Sequence, residues 1–161
     1  MDKKFMTLAL REAVKSANEG EVPVGAVIVK DGEVIATGRN LREQKQNALS
    51  HAEIEAINSA CKKLNSWRLD GCEMYVTLEP CPMCMGACLN ARVDKVYFGA
   101  YEQKGRSLTD ALAEANLLNH KTEVVGGVLE KECSALLTEF FSAMRQKQKE
   151  EKLKKKEETE I

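Results

Sequence analysis

Apolar residues recur along this chain with periods that switch between helix-like and strand-like. Phe5, Leu8, Ala9, Ala13 and Ala17 fall at helical spacing between Lys3 and Glu19, and Gly20 follows as a stop. Val22 to Val29 is almost continuously apolar, the pattern of a strand buried on both faces. Asp31-Gly32 is a two-residue hairpin signal, which predicts an antiparallel return over Glu33 to Thr37 and a loop at Gly38-Arg39-Asn40. The pattern then predicts a helix from Ser50 to about Lys63, a strand from Glu73 to Leu78, a helix from Pro82 to Ala91 and a strand from Val93 to Gly99. Ser107-Leu108-Thr109-Asp110 reads as a capping box opening a short helix, and Thr122 to Val128 as a fifth strand interrupted by Gly126-Gly127. In the last predicted helix, Cys133, Leu136, Leu137, Phe140, Phe141 and Met144 share a face that would pack on the sheet. Past Met144 only Leu153 is apolar before the final residue, and lysines mix with glutamates, which predicts a frayed helix or a disordered tail.

Strands alternating with helices predict an α/β layered sheet, opened by an antiparallel hairpin. The expected organisation is one domain over residues 1–146 followed by a charged tail over 147–161, with no internal repeat. At 161 residues and 43% hydrophobic content the chain can bury a substantial core. Its net charge of -1 announces neither nucleic acid nor membrane, although a neutral total can hide a basic patch. No apolar run approaches a membrane span, and Met1-Asp2-Lys3-Lys4-Phe5 lacks the apolar stretch of a secretory signal. The expectation is therefore a soluble cytoplasmic protein with no membrane partner. Six cysteines do not make a disulfide framework in a chain of this length. Cys61, Cys72, Cys88 and Cys133 are scattered among apolar residues and are expected as small buried side chains in a reducing compartment.

Cys81 and Cys84 differ from the other four. They form a tight pair in Pro80-Cys81-Pro82-Met83-Cys84, thirty residues beyond His51-Ala52-Glu53. One imidazole and two thiols would leave a zinc ion with one open position, which distinguishes a catalytic site from a closed four-ligand one. The pattern H-x-E…P-C-x-x-C is the established signature of zinc-dependent nucleobase deaminases. Ser50 is expected as an N-cap, with His51 first and Glu53 third in the helix, while Pro82 opens the helix after Cys81. Both helices would aim their positive ends at one point, a field that favours thiolates and an ionised water. Zinc lowers the pKa of a bound water from about 16 to about 7. Glu53, beside the metal but not bound to it, would take the water's proton and pass it to a ring nitrogen and then to the leaving amine.

Each residue also admits a plainer reading. Glu53 completes a Ser50-x-x-Glu53 capping box, and His51 alone reads as a partly exposed helix-start residue. Cys81-x-x-Cys84 alone reads as a redox pair or half of a structural zinc site. Cys88, four residues beyond Cys84, could be a fourth ligand, although the core needs small residues on that face too. These readings fail jointly, because independent accidents would have to assemble a complete deaminase site.

A wider resemblance is carried by Val22-Pro23-Val24-Gly25-Ala26-Val27, Gly38-Arg39-Asn40, Trp67-Arg68-Leu69, Tyr75-Val76-Thr77-Leu78-Glu79-Pro80-Cys81, Phe98-Gly99-Ala100 and Asn119-His120. From about residue 3 to Phe141 the chain resembles the bacterial tRNA-specific adenosine deaminases, which convert the wobble adenosine of an anticodon to inosine. The resemblance implies a three-layer α/β/α, cytidine-deaminase-like fold with a five-stranded mixed sheet. It also implies a homodimer whose partner subunit helps form the substrate cleft, and a tRNA anticodon stem-loop as substrate. By position it assigns His51, Cys81 and Cys84 to one zinc ion per subunit, with a catalytic water as fourth ligand, and Glu53 to proton transfer. Asn40 matches an asparagine that holds the target base and ribose, and its amide can donate and accept at once. Val22 would line the base pocket, although the pattern alone makes it a buried strand residue.

The chain departs from that family at three places. The loop Tyr101–Arg106 is a few residues short, Glu102 stands where Asp or Asn is usual, and Ser142-Ala143-Met144 follows Phe140-Phe141 where arginines are common. Backbone phosphates attract Lys and Arg, so these differences bear on the substrate rather than on the reaction. Deamination of a free base or small nucleoside such as guanine or cytosine is the alternative. A non-enzymatic partner subunit with a purely structural zinc is a third possibility, against which Glu53 argues.

Overall fold

The computed structural model describes residues 1–102, 109–116 and 118–161. Ser107 and Leu108 of the expected capping box, and residues 103–106 of the loop before it, lie outside that set. The first helix, α1 (Lys3–Asn18), starts at Asp2, whose carboxylate accepts the Lys4 N–H at 3.0 Å. Strands β1 (Gly25–Lys30) and β2 (Glu33–Arg39) form the expected hairpin. Asp31 and Gly32 both take positive φ, 50° and 76°, as a tight turn matched to strand twist requires. Two boundaries of this hairpin differ from expectation. Gly38 and Arg39 belong to β2, so the loop begins at Asn40. Val22 lies ahead of β1, because Pro23 has no N–H to give a ladder and the Val22 carbonyl bonds back to the Val24 N–H at 2.9 Å.

Helix α2 (Arg42–Lys45) is a single turn that the pattern did not announce. It precedes α3 (Ala52–Leu64), β3 (Cys72–Leu78) and α4 (Pro82–Asn90). Then come β4 (Lys95–Ala100), α5 (Thr109–Glu114), β5 (Glu123–Val125) and α6 (Glu130–Thr159). The last strand is shorter than expected, because Gly127 turns the chain with a φ of 83° just beyond it. The five strands lie in the order β2-β1-β3-β4-β5. Both pairings of β1 are antiparallel, whereas β3, β4 and β5 run parallel.

Alternate strand residues enter two cores. Ala26, Ile28, Met74, Val76 and Val96 pack with Ala52, Ala56 and Ala60 of α3 and Cys88 of α4. Val27, Val29, Tyr75 and Tyr97 pack on the opposite face with Phe5, Met6 and Ala9 of α1 and Cys133 of α6. The result is the three-layer α/β/α arrangement expected for a sheet buried on both sides. Two glycines allow unusually close contact between layers. A Cβ at Gly25 would collide with the Ala9 carbonyl and Ala13 N–H, and one at Gly38 with the Ala52 carbonyl and Ala56 N–H. Gly38 therefore seats the first turn of α3 directly against β2.

The six cysteines are free thiols, with Cys72, Cys88 and Cys133 buried as expected and Cys61 only half-buried. The tail differs from its expectation, since α6 continues unbroken to Thr159 rather than fraying. Its sequence contains neither Gly nor Pro, and its Lys, Glu and Gln residues are good helix formers. Gln146 also bonds to Glu150 one turn on, at 3.2 Å. Only the beginning of α6 contributes to the core; from Ser142 onward every residue is exposed. No helix among the described residues is long and apolar enough to cross a membrane.

Candidate active site

Two helix starts meet at the C-terminal edge of the sheet's centre. His51 caps α3 and Cys81 caps α4, each with extended backbone, φ −72° and ψ 156° for His51, φ −67° and ψ 167° for Cys81. The expected capping box is therefore absent. Ser50 stands outside the cap, and Glu53 is the second residue of the helix rather than the third. The His51 side chain makes no cap hydrogen bond, and the Cys81 sulfur is engaged with Cys84, a ligand candidate in its own helix. Both positions ordinarily favour Ser, Thr, Asp or Asn, so a site ligand has replaced a stabilising cap twice. Pro82 opens α4 at its first turn, where a missing N–H costs nothing, and Cys84 follows two residues later.

The three side chains converge. His51 Nδ1 lies 3.7 Å from Cys81 Sγ and 3.5 Å from Cys84 Sγ. A tetrahedral ion held at about 2.3 Å by sulfur and about 2.05 Å by nitrogen would set these donors about 3.6 Å apart. Among the described residues this is the one His/Cys/Asp/Glu group able to hold a metal ion, with its ligand atoms all within 4.8 Å of one another. Two thiols and an imidazole suit zinc and leave one position of a tetrahedron for another molecule. Cys88 stands apart, its thiol 3.8 Å from Met74 Sδ in the core.

The two thiols differ in acidity. The Cys84 thiol hydrogen-bonds to Cys81, and His51 adds to it, which holds Cys81 down at about 4 and pushes Cys84 up. The bond to Cys81 in turn raises the His51 ring. Burial raises the Glu53 carboxyl, opposed by a hydrogen bond from Cys84. Glu53 is thus in contact with a ligand residue while lying outside the trio.

A cleft of about 190 Å³ opens over this group, lined by Val22, Val24, Asn40, Arg42, His51, Ala52, Glu53, Leu78, Glu79, Cys81 and Glu102. Ordinary ligand pockets measure roughly 300–1,000 Å³, so this one suits a single flat ring. Both sequence-expected substrate residues line it. Asn40 is buried, with Nδ2 donating to the Val22 carbonyl at 3.2 Å and Oδ1 accepting the Arg42 N–H at 3.2 Å. One amide hydrogen and one lone pair remain for a ligand. A larger cavity of about 500 Å³ shares Val22, Leu78 and Glu102 with the cleft and extends to Leu137, Phe141 and Arg145 of α6. Because α6 is continuous, Arg145 sits one turn beyond Phe141 on the same side, and both line that cavity.

Sequence reasoning missed Arg42 and Glu79 as cleft residues. Glu79 carried one signal, its position two residues before Cys81; its carboxylate is buried and accepts the Glu102 N–H at 3.2 Å. Arg42 carried none.

The MafB19-like deaminase family matches residues 1–145. The tRNA-specific adenosine deaminase of Bacillus subtilis (strain 168) is 50% identical over 151 residues, covering 92% of this chain and 93% of that one. A solved tRNA:A34 deaminase, studied for A-to-I editing at the wobble position of transfer RNA, superposes with a TM-score of 0.78. It is 39% identical over 84% of this chain and all of its own. A guanine deaminase from Bacillus subtilis is also 39% identical but covers 71% of each chain, with a TM-score of 0.60. Close identity along nearly the whole length thus goes with the same fold, and the chain belongs to the family of tRNA-specific adenosine deaminases.

Proposed function

We propose that this protein is a zinc-dependent hydrolase that converts the wobble adenosine of a tRNA anticodon to inosine, releasing ammonia. The observation that carries the reading is the His51, Cys81 and Cys84 trio with buried Glu53 against it, under a cleft sized for one base. The names of the relatives supply the tRNA substrate. Zinc, when bound, supplies a Lewis acid and a water that ionises near neutral pH.

The chain's own residues do the rest. His51, Cys81 and Cys84 would hold the ion, and the positive end of α4 favours the thiolate of Cys81. Glu53 takes a proton from water on a carboxylate oxygen and gives it to N1 of the adenine as oxygen bonds to C6. The carboxylate then takes the remaining proton from the C6 hydroxyl and delivers it to the amino group, as the C6–N6 bond breaks and the C6 carbonyl forms. One water is consumed and one ammonia is released. Asn40 offers its free amide hydrogen and lone pair to the base or ribose, and Val22 gives the ring an apolar wall. An adenosine paired or stacked in a helix could not enter so small a cleft, so the nucleotide must be flipped out. Arg145, beside Phe141 in the adjoining cavity, offers a charge for RNA phosphate near the position where the sequence had suggested a loss.

We also infer that residues 1–146 form the deaminase unit and that 147–161 are dispensable for chemistry. A cytoplasmic homodimer with one zinc per subunit completes the reading. Half-buried Met83 and Ala87 on apolar α4 support a covering second copy. Sedimentation of the purified protein tests the dimer. Incubation with tRNA, followed by nucleoside analysis, tests the reaction: inosine and ammonia in equal amounts are expected. Unmodified tRNA together with ammonia from guanine or cytosine would establish the free-base alternative instead.

A further inference from the structure

Glu21 is 1% exposed, and it has no part in the chemistry described above. Buried carboxylates need partners, because their desolvation is costly. Among the described residues it makes no ion pair. Instead its Oε1 accepts the N–H groups of Glu43 at 2.8 Å and Gln44 at 3.2 Å, and its Oε2 lies 3.2 Å from the Glu43 nitrogen. Hydrogen bonds accepted by a carboxylate are stronger than those between neutral groups. These join two segments distant in sequence, both of which line the cleft. On one side is Val22, the next residue, and on the other are Asn40 and Arg42.

The joint is reinforced in series. Asn40 Nδ2 bonds the Val22 carbonyl, and Asn40 Oδ1 accepts the Arg42 N–H. On the outer surface Glu19 receives Arg39 Nε at 3.0 Å, Arg39 Nη2 at 2.9 Å and Gln44 Nε2 at 2.9 Å. That outer clasp is about one-third exposed at Glu19 and Arg39, so water weakens it. Glu21 is the buried fastening. It also explains α2, a single turn without a side-chain cap of its own, whose backbone N–H groups are taken by a residue from another segment.

We propose that Glu21 is a positioning residue for substrate: by holding the backbone at Glu43 and Gln44 it fixes the wall bearing Asn40 and Arg42 against Val22, and so sets how tightly the target nucleoside is held. The proposal rests on the reading of this cleft as the nucleoside site. It differs from a role in folding because the metal ligands stand on separate helix starts and should keep their ion when the wall loosens.

Steady-state kinetics on tRNA, with zinc content measured on the same samples, test it for the full-length protein and Glu21→Ala, Glu21→Gln and Glu21→Asp. Glu21→Ala is expected to raise KM about tenfold or more, with kcat within about threefold of the parent and zinc per chain unchanged. Glu21→Gln, whose carbonyl can still accept the Glu43 and Gln44 N–H groups, should recover most of that loss. An unchanged KM in Glu21→Ala would overturn the proposal, as would parallel losses of kcat, zinc and folded protein, or a Gln variant no better than Ala. If the Ala variant is insoluble, Glu21→Asp decides. A KM raised about threefold at constant kcat supports the role, and no change in KM overturns it. Failure of the parent protein to act on tRNA would instead remove the underlying reading of the cleft, independently of Glu21.

Discussion

At the scale of single residues, the proposed mechanism separates holding from reacting. His51, Cys81 and Cys84 face one another within ligand distance, while Glu53 is buried against them without joining. Glu53→Gln should therefore keep zinc at the parental level and lower turnover by about 10²–10⁴-fold, the usual range for removing a proton-transfer group. Metal analysis and inosine formation on the same preparation measure both. Cys84→Ala should do the reverse, with zinc falling well below one per chain and activity falling in proportion. Beside its proposed binding role Asn40 has a structural task, because its amide joins Val22 to Arg42. Asn40→Ala is expected to cost about 1–2 kcal/mol of stability in a denaturant melt, beside any effect on KM. A variant as stable as the parent would show that those two bonds count for nothing.

Elements explain why some of this was legible in the sequence and some was not. The Asp31-Gly32 turn could be read because the residues adopting positive φ are chemically distinctive there. The candidate ligand trio could be read because each member stands at the cap or in the first turn of a helix, so local spacing fixes the geometry. The exact helix start was missed, since Ser50 has capping chemistry and only the fold reveals that His51 occupies the cap instead. Helix α2, Arg42 and Glu21 were invisible for a related reason: four residues carry no period, and the bonds holding them come from twenty positions away. The tail misled because charged residues that bury nothing suit either coil or an isolated helix, and helix propensity favoured the latter. At this scale Gly38→Ala is the sharpest test. Its Cβ meets backbone of α3, which cannot swing aside, so a loss of about 1–3 kcal/mol or more is expected from thermal unfolding. Zinc affinity should fall with it, because the same turn carries His51.

For the whole molecule, the sheet is a rigid platform that brings two helix starts together at one edge. Its distinctive chemistry lies there, while α6 extends the adjoining cavity and then runs out into solvent. Deleting residues 147–161 should change thermal stability by no more than about 0.5 kcal/mol, because every one of those side chains is exposed. Chelating the metal should lower the melting temperature, and restoring zinc should recover it, as expected for a ligand that binds only the folded state. The central claim is that this site deaminates the wobble adenosine. Its most direct test is mass-spectrometric measurement of inosine at the wobble position of tRNA treated with purified protein, alongside Glu53→Gln. Stoichiometric conversion by the parent, and at least about a hundredfold slower conversion by the variant, is the predicted result. Unmodified tRNA while free guanine or cytosine releases ammonia, or full conversion by Glu53→Gln, would contradict it.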